Sequence, residues 1–260
     1  MSAGFDDDLT ACAALVQRAD PDRFAAAMAA PVAARRVLFP FHALAVEVAR
    51  APWVTAEPMI AEMRLQWWRD ALEEIARGET VRRHEVVTPL SRVLAPETAA
   101  RLDAFVAVRR WDIYREPFED PAEFTRYIDE SAGTLLWAAA SSLGPTDESV
   151  VRDYGFAMGL ANWFRAIPEL EARGRIPLLD GSAEAVRELA EQGLDRLARA
   201  RRRRDAISRP ARAALLAGWQ SKAILRLVQR TPARVAAGDL GLSPFSRHLR
   251  LALQAATGRW

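Results

Sequence analysis

The side chains best placed to do chemistry lie between Tyr154 and Asp180, where Asn162, Arg165 and Glu169 share one stretch. Residues four apart meet on one helical face, so Arg165 and Glu169 are spaced to pair. Asn162 with Arg165 could hold a phosphate or a polar headgroup. The commoner role for such residues is to satisfy neighbouring backbone or, for Arg165, to pair with Glu169. Glu47 and Arg50, three apart, form a second local pair. His42 has no second histidine or cysteine nearby in the sequence, so it reads as a core or rim residue rather than a metal ligand. His84 and His248 show no partners. Nothing resembles a Ser-His-Asp or Cys-His arrangement, and Gly174 to Gly181 is too sparse in glycine to cradle a phosphate.

The elements around these residues read as helices throughout. Asp6 to Asp8 lead into an alanine-rich helix that Pro21 divides, with Asp20 as cap of the second part. Pro31 precedes a helix carrying Phe39, Phe41 and Val46, which either starts near Pro40 or bends there. Leu65, Trp68, Leu72 and Ile75 form one apolar stripe, Met63 and Trp67 widen it, and Gly78 is a fitting stop. Helices are expected over Glu97 to Tyr114, with Leu102, Phe105, Val106 and Arg109 on one face, and over Ala122 to Ser142, begun by Pro121. Further helices are expected from Ser149 to Arg165, Ser182 to Ser208, Ala211 to Gln229 and Phe245 to Ala256. Gly155 and Gly159, one turn apart, suit close helix packing. Pro168 should end or kink its helix. No strand-like alternation competes, and no internal repeat is present.

Two segments carry a family resemblance. Val37 to Arg50, VLFPFHALAVEVAR, is similar to the first aspartate-rich helix of the squalene/phytoene synthase family, and the Asn162 region resembles the second. Met59 to Gly78 and Tyr127 to Gly144 match its other helices, with Asp112 at a common acidic position. The resemblance implies an all-α, single-domain isoprenoid-synthase-type bundle around a central cavity over residues 1–260. It also implies two facing helices whose carboxylates hold magnesium against a prenyl diphosphate. At the four ligand positions this chain has Val46, Arg50, Ala166 and Leu170. Three offer no oxygen, and Arg50 repels a cation. The segments EVARAPWVTAEPMIAEMRLQWW and FRAIPELEARGRIPL look like a non-enzymatic branch related to a mitochondrial complex I assembly factor.

The expectation is a non-catalytic factor without metal or cofactor, binding a protein partner or an isoprenoid lipid in complex I assembly. Its cavity candidates are Phe41, His42, Glu47, Arg64, Trp67, Tyr127, Asn162, Arg165 and Glu169. The runner-up is a head-to-head prenyltransferase using magnesium on Glu47, Glu169 and Asp112, which requires those carboxylates to cluster. A third reading is a lipid carrier, with Trp53, Trp67, Trp68, Trp137 and Trp163 along a tunnel; filling the core is the commoner role of such rings.

Length and composition agree with one large helical domain. The chain has 260 residues, half of them hydrophobic, and one cysteine, Cys12, which excludes an internal disulfide framework. No apolar run approaches the roughly 20 residues of a membrane span, and no signal-like segment opens the chain. The expected location is cytoplasmic, with a peripheral inner-membrane contact through Arg201 to Arg204 left open. That arginine run, with Arg196 and Arg199, reads first as a solvated face partly neutralised by Glu184, Glu188, Glu191, Asp195 and Asp205. Without aromatic interleaving or a net charge above +2, it gives no argument for nucleic acid.

Overall fold

Proline and short acidic or hydroxyl side chains start most of the helices. The computed structural model describes residues 6–260. Asp6 caps α1 (Asp7–Ala19), and Asp20 accepts from the Arg23 amide to cap α2 (Pro21–Ala29). After Pro31 comes α3 (Val32–Arg50), which runs through Pro40 rather than starting there. Its segment from Leu38 to Val46 is buried throughout, because α1, α2, α5 and α8 all pack on it. The stripe of α4 (Pro58–Ala76) is buried as spaced, but Met63 is 65% exposed and Trp67 half-buried. One face of α4, rather than two, therefore meets the core. Gly78 ends it with φ +66°.

The connection to the next long helix contains a short α5 (Val87–Ser91), which buries Leu90 together with its cap residue Val86. Then α6 (Pro96–Ala107) tightens into a 3₁₀ turn, Val108–Asp112, instead of continuing to Tyr114. The expected helix after Pro121 is three pieces: α7 (Pro121–Ile128), a π turn (Asp129–Thr134) and α8 (Leu135–Leu143). The π turn presents Asp129 and Glu130 to Arg152 at 2.7 and 2.8 Å.

The long helix α9 (Glu148–Ala172) passes through Pro168 and ends one turn later. Proline lacks the donor for the carbonyl four residues back. Here its ring lies beside Gly238, at the end of α13, while Arg173 closes the helix on the Glu169 and Leu170 carbonyls at 3.1 Å. Gly155 and Gly159 face the π turn at close range, as their spacing predicts. A Cβ on either would stand 2.6 Å from Gly133 Cα or Ala132 Cβ.

Ser182 caps α10 (Ala183–Arg202), which packs on α9 and α12. The segment beyond it forms a 3₁₀ turn, Arg204–Ala206, and Ile207 bridges Thr146, so that helix stops short of Ser208. The next expected helix is broken into α11 (Arg212–Leu215) and α12 (Ser221–Arg230). Then α13 (Ala233–Ala236) and α14 (Pro244–Thr257) close the chain. One hydrophobic cluster runs through the bundle, from Leu9 on α1 to Trp260. The protein is an all-α single domain.

Candidate functional site

The last turn of α3, the 3₁₀ turn Val108–Asp112, α7 with its π turn, and the C-terminal half of α9 surround a cleft of about 410 Å³. Arg50, Ala166 and Leu170 all line it. The two helices meet at one place, as the resemblance implies. Val46, 8% exposed, is packed in the core and is not part of the lining.

Four guanidiniums line the cleft, those of Arg23, Arg50, Arg109 and Arg173, against two carboxylates, Asp112 and Glu169. Each carboxylate is already engaged. The buried Asp112 accepts from the Tyr127 hydroxyl at 3.0 Å and from Arg109 at 3.2 Å. Burial pushes its carboxyl upward, opposed by the charge and hydrogen bond of Arg109. Arg109 stays a firm cation: Tyr127 and Asp112 outweigh its own burial, and its Nε is buried without a partner. Glu169 binds Arg173 at 2.5 Å, and that guanidinium lies 4.7 Å from the Trp53 ring.

Neighbouring contacts hold this wall in place. Arg175 donates to the carbonyls of Asp112 and Tyr114, and the Trp163 indole donates to Pro177 at 3.1 Å. The Arg175 bonds tie the loop after α9 to the 3₁₀ turn, and the Trp163 bond holds that loop back on α9. Trp111 stacks on Phe118 with centroids 4.4 Å apart, and Trp163 and Tyr127 meet the pair edge-on. The tryptophans named for the lipid-carrier reading do not line one common tunnel among the described residues. Trp53 and Trp163 line the cleft, Trp67 and Trp68 a separate groove, and Trp137 lies under Arg101. Most of these rings fill space between helices.

The other candidates divide. Tyr127, Asn162 and Glu169 do line the cleft. Glu47, Arg64 and Trp67 belong instead to a groove between α3 and α4, on the far side of Arg50, where Glu47 pairs with Arg50 at 3.2 Å. Phe41 and His42 lie in the core and line neither, since α3 has helices on several sides there and reaches the cleft only at its end. Burial, with Arg23 adding to it, pushes the His42 imidazole down to about 3, so it is neutral. His84 is not without partners: its Nδ1 accepts from the Val86 amide at 3.1 Å, and it packs on Trp67 and Trp68. His248 Nδ1 lies 2.8 Å from the Pro244 carbonyl.

Arg165 pairs with Asp22 of α2 at 3.0 Å rather than with Glu169. Asn162 is exposed at the cleft, and its side chain makes no hydrogen bond among the described residues. The arginine run is neutralised only in part as expected: Arg204 lies 4.0 Å from Asp205, but other partners come from elsewhere. Arg199 and Arg203 bond Asp153 and Asp147 at 2.9 and 2.6 Å, two acids near the start of α9. Sequence reasoning missed Arg23 and Arg173 as lining residues, and the role of Arg109. A cation on the apolar face of Leu102, Phe105 and Val106 was the available signal for Arg109.

The residues present do not fit a magnesium cluster. Glu47 faces the other groove, while Asp112 and Glu169 are each bonded to a guanidinium. Among the described residues no group of three His, Cys, Asp or Glu side chains is placed to hold a metal ion. The arrangement suits direct recognition of an anion by arginine and amide groups.

Comparisons with known proteins agree with this architecture. A Drosophila melanogaster protein named "NADH dehydrogenase (ubiquinone) complex I, assembly factor 6 homolog" is 28% identical over 177 residues, 65% of this chain and 53% of that protein. The chain thus spans about half the length of this curated relative. Among solved structures, a dehydrosqualene synthase in complex with ligand superposes with a TM-score of 0.76 at 16% identity, over 98% of this chain and 97% of that one. Squalene synthase HpnC from Alicyclobacillus acidocaldarius gives 0.69 at 18% identity, over 87% and 94%. These two likenesses establish the fold. The squalene/phytoene synthase model matches residues 16–178, more than half of the sequence, and the chain belongs to the squalene/phytoene synthase family.

Proposed function

We propose that the protein is a non-catalytic member of its family, a binding factor that acts in the assembly of respiratory complex I. The observation that carries this reading is the lining of the cleft. Arg50, Ala166 and Leu170 stand where the family resemblance places metal-binding carboxylates, and Arg23, Arg109 and Arg173 add to Arg50. Ionising a prenyl diphosphate needs divalent charge held against the leaving group. A guanidinium can bind the same phosphate oxygens, but the two carboxylates of the cleft are each bonded to a guanidinium and leave none free to hold magnesium. The assembly role is supported by the name of the Drosophila relative and by the two segments that resemble the assembly-factor branch.

Incubating the purified protein with magnesium and farnesyl or geranylgeranyl diphosphate tests the catalytic part. No sustained diphosphate release is expected, and steady turnover would overturn the proposal. Affinity capture from the native host at low salt tests the partner. NADH dehydrogenase subunits are the expected catch; carotenoid or hopanoid enzymes in their place would argue for a synthase.

A further inference from the structure

The C-terminal end of the chain carries a surface that the cleft does not explain. Residues 206–260 contain nine arginines and lysines but one acid, Asp239, although the whole chain carries a net charge of only +2. Within this region α14 has no buried residue. It is nevertheless fixed at both ends. Arg247 bonds Asp22 on α2, and beyond the helix Trp260 packs edge-on against Tyr154 with centroids 5.0 Å apart.

Helix geometry sorts the remaining residues. Arg247, Leu251 and Gln254 recur every three to four residues on the side turned to the protein, and with Ser246 they are the part-buried residues of the helix. Phe245, Leu249 and Leu253 recur every four on the opposite side, 76%, 46% and 54% exposed. Ala252 and Ala256 lie among them, so the outer face is apolar for the length of the helix. Arg250 and His248 flank it on either side. Lys222 of α12 lies within electrostatic reach of Arg250, of Arg226 on its own helix and of Arg201 of α10. Lys222 is held below the ordinary lysine value by burial and then by the positive charge of Arg201, Arg226 and Arg250. Among the described residues no carboxylate pairs with Lys222, Arg226 or Arg250.

An outward apolar stripe on a short helix, bordered by cations that repel one another, matches one environment well. Hydrocarbon accepts the stripe, and phosphate headgroups accept the cations. We infer that α14, with Lys222 and Arg226 beside it, is a membrane-surface contact that lays Phe245, Leu249 and Leu253 into the interface of an anionic bilayer. No residue of α14 lines the cleft, so this contact stands or falls apart from the proposed assembly role. It also relocates the membrane contact first considered for Arg201 to Arg204, since Arg203 is tied to Asp147.

Co-sedimentation of the full-length protein with vesicles tests it, using phosphatidylcholine alone or mixed with phosphatidylglycerol. Binding is expected only to the mixed vesicles and should weaken as salt rises. Two variants at exposed positions leave the bundle intact: Leu249→Ser with Leu253→Ser, and Arg226→Gln with Arg250→Gln. Each should weaken binding on the order of tenfold or more, with circular dichroism unchanged. Failure to bind the mixed vesicles at low salt overturns the inference, as does binding that both variants leave intact. A dimer in solution that the leucine variant disperses, without vesicle binding, would assign the stripe to a second copy instead.

Discussion

Arg165 donates to Asp22 at 3.0 Å across 143 residues of sequence, joining α9 to α2 beside the cleft. The same carboxylate accepts from Arg247 of α14, so one acid holds three helices together. Burial works against its charge. Hydrogen bonds from Arg165 and Gln220 and the charge of both arginines nonetheless hold Asp22 below the usual aspartate value. A depressed carboxyl stabilises the fold above its unfolded pKa, about 3.9, and that contribution is lost as pH falls through the lower folded value. Asp22→Asn should cost about 1 kcal/mol at neutral pH, a modest figure because both guanidiniums are well exposed to solvent. Urea midpoints of the two proteins should converge below about pH 3. Equal stability at pH 7 in low salt would show that Asp22 organises nothing.

His42 gives a second pH dependence, of the same sign but in a milder range. Its folded value of about 3 lies below the ordinary 6.5 because burial disfavours the imidazolium. The unfolded chain therefore takes up a proton that the native chain refuses. Stability is full above about pH 6.5 and falls by about 1.4 kcal/mol for each unit below that, until the folded value is reached. Between about pH 7.5 and 5.5, where aspartates and glutamates hardly titrate, His42→Leu should flatten the profile whatever its absolute stability. A slope that survives the substitution would place the proton elsewhere.

Most helix starts were legible because a single local interaction sets each one. Asp20 and Ser182 show it with their side-chain bonds to backbone amides, and Pro121 with its fixed φ. The convergence of Arg50 with Ala166 and Leu170 was legible for a related reason, since the periodicity of two helices and a family likeness place them. What was not legible depends on which helices become neighbours. Arg165 has Glu169 one turn away, yet takes Asp22 because α2 brings a half-buried carboxylate to it. The π turn at Asp129–Thr134 has no composition of its own; it accommodates Gly133 against Gly155 and aims two acids at Arg152. Pro168 survives inside α9 because one missing donor is a smaller loss than the packing of that helix. Met63 looks like core by type and is surface by position.

The two degenerate positions Val46 and Ala166 should respond very differently to a restored carboxylate. Val46 is 8% exposed and packed within α3's surroundings, so Val46→Asp desolvates a charge that Arg50, one turn on, exposed and paired with Glu47, offsets only in part, and should cost about 3 kcal/mol or more. Ala166 is half-buried and faces a cleft that holds Arg50, Arg109 and Arg173. Ala166→Asp should cost no more than about 1 kcal/mol, mainly the poorer helix propensity of aspartate. Chemical denaturation of both variants decides the matter. Comparable costs would mean that Val46 looks into the cleft after all. Neither single variant should bind magnesium in calorimetry, because each supplies one carboxylate where an array is needed.

Gly155 tests whether the π turn and α9 are as close as they stand. A Cβ there would meet Gly133 Cα at 2.6 Å and the Ala132 carbonyl at 3.3 Å, both backbone atoms that cannot rotate away. In an open helix, Gly→Ala stabilises by about 1 kcal/mol; overpacking a core typically costs about 1–3 kcal/mol. The clash should win, so Gly155→Ala lowers the melting temperature. Gly78, whose Cβ would meet nothing within 4 Å, is the control for steric crowding, although its φ of +66° strains an alanine for a different reason. A stabilised Gly155→Ala protein would show that the helix and the turn stand further apart. The wall that carries Ser131, Ala132 and Gly159 into the cleft would then have to be drawn wider, and the cleft with it.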